Sequence, residues 1–281
     1  MEIYLKGYRL SLITLLFCKN YTKEFGMKGS DKEREKKEID EQAPIRLNKY
    51  ISNAGTCSRR AADVLIEEGR VKVNGKVVSS LGCKVMLTDK VLVDNKIIST
   101  GERFYILLNK PRNVICTTSD ENNRRTVMDL LPAKFQHLYP VGRLDRNTTG
   151  VLLITNDGTL TQNLLHPKKK IKKVYKAKVT NQLTQEELDK MVTGIELEDG
   201  VTKFDKIVEL YEDEAFRYGI EIHSGKNRVI RRMFEAINNE VVKLDRVLFH
   251  TFDRKGLARG AFRELSEKEL RGLDVYLRTK K

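Results

Sequence analysis

At 281 residues the chain is long enough for one large domain or two smaller ones, each able to bury a core. Lys and Arg total 53 against 39 Asp and Glu, a formal charge of +14, so the surface attracts polyanions by counterion release. Ribosomal or transfer RNA fits that charge, and so does an anionic membrane. The excess sits in the body of the chain, with +5 in residues 44–100 and +8 in residues 101–281. Cys18, Cys57, Cys83 and Cys116 lie far apart, with no Cys-x-x-Cys pair and no histidine at ligand spacing. Neither a disulfide framework nor a metal centre is expected, and the thiols read as reduced and cytosolic.

The amino-terminal run Leu10 to Cys18 follows Lys6 and Arg9 in the manner of a short signal-peptide core. No Ala-x-Ala-like cleavage site follows, and nine residues are too few to span a bilayer. The expectation is a cytoplasmic protein without a membrane partner. Residues 28–43, rich in Lys, Glu and Asp, lack the apolar side chains of a core. Residues 1–43 are therefore expected to be a disordered extension, and Met27 is the expected true start.

From Arg46 onward the pattern is helix, helix, hairpin. Leu47, Tyr50 and Ile51 share one helical face, closed by Gly55; Ser58 caps a second helix carrying Ala61, Ala62, Leu65 and Ile66, closed by Gly69. Val71, Val73 and Val77 flank Asn74-Gly75, the dipeptide suited to a type I′ turn. Arg59 and Arg60 occupy the first turn of the second helix, where the helix dipole disfavours cations, so helix stability does not explain them. The strings Arg46-Leu-Asn-Lys-Tyr-Ile51, Cys57-Ser-Arg-Arg-Ala-Ala-Asp63 and Gly69-Arg-Val-Lys-Val-Asn-Gly-Lys76 resemble the RNA-binding module first seen in the fourth protein of the small ribosomal subunit. The resemblance implies a small RNA-binding domain over residues 44–92. Phosphate contacts are then expected from Arg59, Arg60, Arg70 and Lys72, and less directly from Lys76 beside the turn.

Residues 93–102 are polar and irregular and read as a linker. An apolar run of strand length, Phe104 to Lys110 closed by Pro111, is followed by similar runs at 151–155, 174–179, 207–211 and 218–222, with helical patterns at 159–165, 184–192, 228–238 and 266–277. Their irregular alternation predicts an α+β domain over residues 103–272, built on a mixed or antiparallel sheet, with a basic tail at 273–281. The run Lys168 to Lys173 holds five lysines in six residues; each reads singly as part of a solvated face, and together they strengthen RNA binding.

The most informative stretch places Asp145 between Arg143 and Arg146 in a polar loop before an apolar run. Taken alone, an acid between arginines is a solvated ion pair worth little. The full string, Gly142-Arg-Leu-Asp145-Arg-Asn-Thr-Thr-Gly150 followed by Val-Leu-Leu-Ile-Thr-Asn-Asp-Gly158, is more restrictive. It resembles the catalytic signature of one group of pseudouridine synthases, the group that unites the small-subunit ribosomal RNA enzyme with the B, E and F types acting on the large subunit.

That resemblance implies isomerisation of uridine to pseudouridine in ribosomal RNA. The C1′–N1 bond breaks, C1′ joins C5, and the detached base is held in a closed pocket, without a metal, nucleotide or redox cofactor. Asp145 is then the reacting carboxylate. A buried carboxylate tends to protonate and a neighbouring cation keeps it charged. The segment Gly225-Lys-Asn-Arg-Val-Ile-Arg-Arg-Met233 resembles the family's second signature and supplies Arg231 as that cation, with Lys226 and Arg228 as RNA contacts. Lys173-Val-Tyr175 resembles the third, whose tyrosine packs on the target base, an interaction worth roughly 1–3 kcal/mol. Arg143 matches the arginine that fills the space left by the flipped nucleotide. Thr126 to Pro132, Leu165-His166-Pro167, Leu197 to Gly200 and Lys255 to Gly260 look most like the enzymes acting on one uridine of large-subunit RNA. The enzymes acting on small-subunit RNA share the three signatures and the amino-terminal module, and a catalytically silent RNA-binding or ribosome-assembly protein is the further alternative. The family expectation is a monomer whose partner is ribosomal RNA or a pre-ribosomal particle.

Overall fold

The computed structural model describes residues 44–99, 101–211 and 217–279; the expected extension at 1–43 and the expected start at Met27 lie outside the described residues. The amino-terminal module runs β1 (Ile45–Arg46), α1 (Leu47–Asn53), α2 (Arg59–Glu67), β2 (Val71–Val73), β3 (Lys76–Val77), β4 (Lys84–Val85), β5 (Val91–Val93) and β6 (Lys96–Ile98). The Ser58 hydroxyl accepts the Ala61 N–H at 3.2 Å and caps α2. Leu47, Tyr50, Ile51, Ala62, Ile66, Val71 and Val91 form the module's own core.

One boundary is corrected. The stretch 93–102, expected as linker, begins with paired strands: β5 and β6 form a hairpin that extends the β3-β2-β5-β6 sheet. Asp94 and Asn95, both at positive φ, make its turn, so polar residues that read as linker are turn residues. The connector is confined to the residues after Ile98.

The second domain continues with β7 (Tyr105–Lys110), β8 (Tyr139–Pro140), β9 (Thr149–Thr155), α3 (Gly158–Leu165), β10 (Lys173–Val179), α4 (Gln185–Thr193), β11 (Lys206–Glu209), β12 (Tyr218–Ile222), α5 (Val229–Glu235), β13 (Val241–Phe249), β14 (Phe252–Asp253), β15 (Phe262–Glu264) and α6 (Glu267–Thr279). Among the described residues its strands form one sheet in the order β11-β12-β10-β13-β9-β7-β15, with β8 on β9 and β14 on β13. All neighbours are antiparallel except β13 and β9, which run parallel. The result is the α+β mixed sheet that the sequence implied.

The strands β7 and β9 read as continuous apolar runs because both their faces are covered. Leu107, Val151 and Leu153 pack with α3 and with Phe249 and Leu273, whereas Ile106, Leu108, Leu152 and Ile154 pack with Val127, Met128 and Phe135. At the other end of the sheet α4 and α5 cover β10 and β12 through Met191, Phe204, Tyr218 and Phe234. A second correction falls at the carboxyl end. The expected basic tail is the second half of α6, with Leu273 and Tyr276 buried.

Two strands were hidden by their charges. The longest, β13, reads Val-Val-Lys-Leu-Asp-Arg-Val-Leu-Phe and breaks any apolar run, yet Asp245 and Arg246 are buried within it. The short β15 offers only Phe-Arg-Glu.

Candidate active site

A cleft of about 1200 Å³ opens where the loop before β9 faces β10, β13 and the start of α5. Eight lysines and arginines line it against two acids, Asp120 and Asp145, so its lining carries a net positive charge.

The loop carrying Asp145 is held by its backbone. Lys110, at the end of β7 and with no exposed surface, donates to the carbonyls of Thr148 (2.8 Å), Asp145 (3.1 Å) and Arg146 (3.2 Å), as well as to Pro111 (3.1 Å). The Asn113 N–H reaches the Arg146 carbonyl, the Thr148 N–H reaches the Asp145 carbonyl, and the Leu144 N–H is taken by the Cys116 sulfur. The signature glycines serve the same packing. A side chain at Gly150, whose φ is +111°, would stand 2.1 Å from the Arg246 carbonyl, because β9 and β13 close on each other there. The Thr155-Asn-Asp-Gly158 portion is scaffold. Asn156 ties β9 to the backbone of Glu102 and Phe104, and Asp157 accepts the Thr159 and Leu160 N–H groups as the cap of α3.

With its backbone fixed, Asp145 presents a carboxylate that is 32% exposed. Arg231 Nε stands 3.8 Å from Oδ2 and Arg228 Nη1 stands 3.9 Å from it, too long for hydrogen bonds but within ion-pair range. Arg231 is mostly buried, and its Nη1 donates to the Val241 carbonyl at 2.6 Å while its Nε has no hydrogen-bond partner. Burial first, and then the neighbouring Arg228, hold the Arg231 guanidinium below its ordinary range. Arg228 sits in the left-handed region at φ 46° just ahead of α5, a strained position for a non-glycine residue that turns it back toward Asp145.

Tyr175 is buried on β10 and lines the cleft. It pairs with Arg246 across the β10–β13 ladder, and Lys173 pairs with Phe249. A register shift between these pairs puts one extra residue on β13, which lets Arg246 and Phe249 line the same cleft; the guanidinium lies 4.7 Å from the ring centroid.

A profile described as RNA pseudouridylate synthase matches residues 104–236, and an S4 domain profile matches residues 45–91. The ribosomal large subunit pseudouridine synthase B of Bacillus subtilis (strain 168) is 45% identical over 231 residues, spanning 81% of this chain and 95% of the relative. The chain belongs to the RNA pseudouridine synthase family. An uncharacterized RNA pseudouridine synthase of Aquifex aeolicus (strain VF5) is 42% identical, over 80% of this chain and 92% of its own length. A crystal structure of a pseudouridylate synthase superposes with a TM-score of 0.58 at 27% identity, covering 82% of this chain and 99% of that one.

In this pseudouridine synthase, Asp145, Arg231, Tyr175, Arg143, Lys226 and Arg228 all line one cleft. Arg143 is exposed at its rim. Lys226 is engaged otherwise than expected: its ammonium donates to the Asp199 and Gly200 carbonyls and to Thr202 Oγ1, which fastens the 199–202 loop beside the cleft. In the S4 module the expected phosphate contacts divide. Arg60 is exposed, with no side-chain partner among the described residues, and Arg59 donates weakly to Asn48 Oδ1 at 3.4 Å. Arg70 instead grips Asp94 through two bonds of 2.7 Å and also reaches Glu68, and Lys72 donates to Asn95.

The lysine run divides as well. Lys172 pairs with Glu221 at 2.8 Å and Lys173 is bonded to the carbonyls of His223 and Ser224, so two of the five are built into the domain. Sequence reasoning did not single out Lys110, Asp245, Arg246 or Arg259. Asp245 is fully buried, its Oδ1 accepts Arg259 at 2.8 Å and the Thr149 hydroxyl at 2.6 Å, and Arg254 lies in ion-pair range at 3.3 Å, tying the 254–259 loop to β9 and β13. The signal for Lys110, Asp245 and Arg246 was the same, a charged residue inside or at the end of an otherwise apolar strand, whereas Arg259 lies in a loop and carried no such mark. Among the described residues no group of His, Cys, Asp and Glu is arranged to hold a metal ion, and no helix is long and apolar enough to cross a membrane.

Proposed function

We propose that this pseudouridine synthase isomerises one uridine of large-subunit ribosomal RNA, acting as a monomer in the cytoplasm. The observation that carries the reading is the Asp145 carboxylate. It is open to the cleft, faced by two guanidinium groups, and no side-chain donor among the described residues occupies it. Its two oxygens are thus positioned and available to a substrate.

In this reading the Asp145 carboxylate adds to the flipped nucleotide and is released again before the product leaves; in between, the C1′–N1 bond breaks and the uracil turns while held against Tyr175. C5 then joins C1′ and its proton leaves to solvent as N1 takes one up. Arg231 and Arg228 stabilise the carboxylate whenever it carries charge. The walls of the cleft restrain the free base during its rotation. Arg143, at the rim, occupies the gap in the RNA, and the cationic lining and the S4 module hold the RNA backbone. The relatives named for the large subunit favour that RNA over the small-subunit alternative.

The test follows tritium release from unmodified large-subunit and small-subunit ribosomal RNA labelled at uridine C5, with wild-type protein and Asp145→Asn. Release from large-subunit RNA by wild type alone is expected. Release only from small-subunit RNA would transfer the activity to the other RNA. Tight binding of both RNAs without release would point instead to a catalytically silent RNA-binding protein or to a pre-ribosomal particle as the substrate.

A further inference from the structure

Two cations on neighbouring strands, Lys173 of β10 and Arg246 of β13, line the same cleft. Lys173 and Tyr175 lie two residues apart on β10 and share its cleft-facing side, about 7 Å apart along the strand. An ammonium has three N–H donors. Lys173 gives two of them to the carbonyls of His223 (2.8 Å) and Ser224 (3.2 Å), and the third has no acceptor among the described residues. Arg246, paired with Tyr175 across the sheet, is buried; its Nε donates to the Val151 carbonyl at 2.8 Å and its Nη2 has no hydrogen-bond partner.

The two acids that flank Lys173 on the β11–β12 side are already paired. Asp205, in the loop before β11, is bonded to His223 at 2.5 Å, and Glu221 of β12 holds Lys172. From β13 the charge facing Lys173 is Arg246. Burial first, and then Arg246, push the Lys173 ammonium down to about 8, with Asp205 opposing. A cation with an open donor, half-buried as Lys173 is or buried as Arg246 is, is costly unless some state of the protein supplies an acceptor. Two such cations sharing one wall with the base-stacking tyrosine suit an anion held one nucleotide's breadth from the base.

We propose that Lys173 and Arg246 form the seat for the backbone phosphate of the nucleotide whose base lies on Tyr175. This rests on the synthase reading above. A phosphate seat fixes the register of the flipped nucleotide without reading its base, leaving discrimination of uracil to the rest of the cleft.

The experiment measures KM and kcat for tritium release from C5-labelled large-subunit RNA by wild type, Lys173→Gln and Lys173→Arg, as a function of salt and of pH. Loss of one phosphate contact should raise KM at least tenfold in Lys173→Gln and flatten the dependence of log KM on log salt by about 0.7. A lysine that serves only to fasten residues 223 and 224 would lower kcat or thermal stability and leave that slope unchanged, which would overturn the proposal while tritium release still upheld the synthase reading. If Lys173→Gln does not fold, the remaining pair decides. Wild-type KM should rise about tenfold between pH 7 and 9.5 as the ammonium is lost, and Lys173→Arg, permanently charged, should show no such rise. Ionisation of the RNA is common to both proteins, so an equal rise in both would refute the seat.

Discussion

Lys110 grips Asp145 by its backbone and leaves its carboxylate alone: the ammonium nitrogen is 3.1 Å from the Asp145 carbonyl oxygen, and the same nitrogen gathers the carbonyls of Pro111, Arg146 and Thr148. One buried cation therefore sets the shape of the reactive loop without competing for the reactive oxygens. A methionine in its place would fill similar volume and leave several inward carbonyls unpaired. Lys110→Met is expected to lose about 3 kcal/mol of stability and to lower kcat more than it raises KM. Thermal unfolding alongside tritium release would check this, and a variant of wild-type stability would show that other groups hold the loop.

Arg231 and Arg228 stand almost equally far from Asp145 Oδ2, yet they are not equivalent. Arg231 is buried and anchored to the Val241 carbonyl, whereas Arg228 is half-exposed and shared with Glu235. Screening weakens the second pair far more than the first. Arg231→Met should cost about 100-fold to 1000-fold in kcat, and Arg228→Ala only a few-fold at physiological salt. Equal losses in steady-state rates would mean that the exposed arginine acts on the substrate in its own right.

The family, the fold class and the residues gathered at the cleft were legible in the sequence because each rests on a local string. The string around Asp145 specifies a turn, two glycines at positive φ (Gly142 and Gly150) and a strand, and these are neighbours in the chain. What was not legible depends on partners distant in the chain. Lys110 meets residues 145–148, Arg259 meets Asp245 and Asn109, and Arg70 meets Asp94. A lone charge carries no mark of whether such a partner exists. For the same reason β13 was missed: Asp245 and Arg246 look like surface residues until Arg259, Arg254 and the Val151 carbonyl are brought to them.

That distinction changes the expected roles within the S4 module. Arg60 is unengaged among the described residues, and Arg70 is bound to Asp94 and Glu68 on the surface. Arg60→Ala should weaken RNA binding uniformly across sequences and reduce the salt slope of log K by about 0.7–0.9. Arg70→Ala should leave the slope close to that of wild type and loosen the hairpin of β5 and β6 instead. Filter binding over a salt series separates them; a slope change in Arg70→Ala equal to that in Arg60→Ala would restore Arg70 as a phosphate contact.

The carboxyl-terminal helix carries its own pH dependence. Glu269 accepts both Arg263 Nη atoms at 2.8 Å and the Ser266 N–H and hydroxyl at 2.8 Å, closing a Ser-x-x-Glu box at the start of α6. These bonds, Arg263 foremost and burial opposing, hold its carboxyl down at about 2, against 4.5 for an ordinary glutamate. A depressed carboxyl stabilises the fold fully above the unfolded value and loses that contribution as pH falls through the folded one, so the window runs from about 4.5 down to about 2. Beyond Glu269, α6 buries Leu273 and Tyr276 against Phe249 and Phe252, and the Tyr276 ring lies 4.4 Å from that of His250. Glu269→Gln should therefore be less stable than wild type by about 2 kcal/mol at pH 7. The gap in unfolding midpoint should narrow steadily on acidification below pH 4.5, because wild type loses by protonation what the variant already lacks. A gap that stays constant down to pH 2.5 would place the contribution of Glu269 in packing and not in its charge.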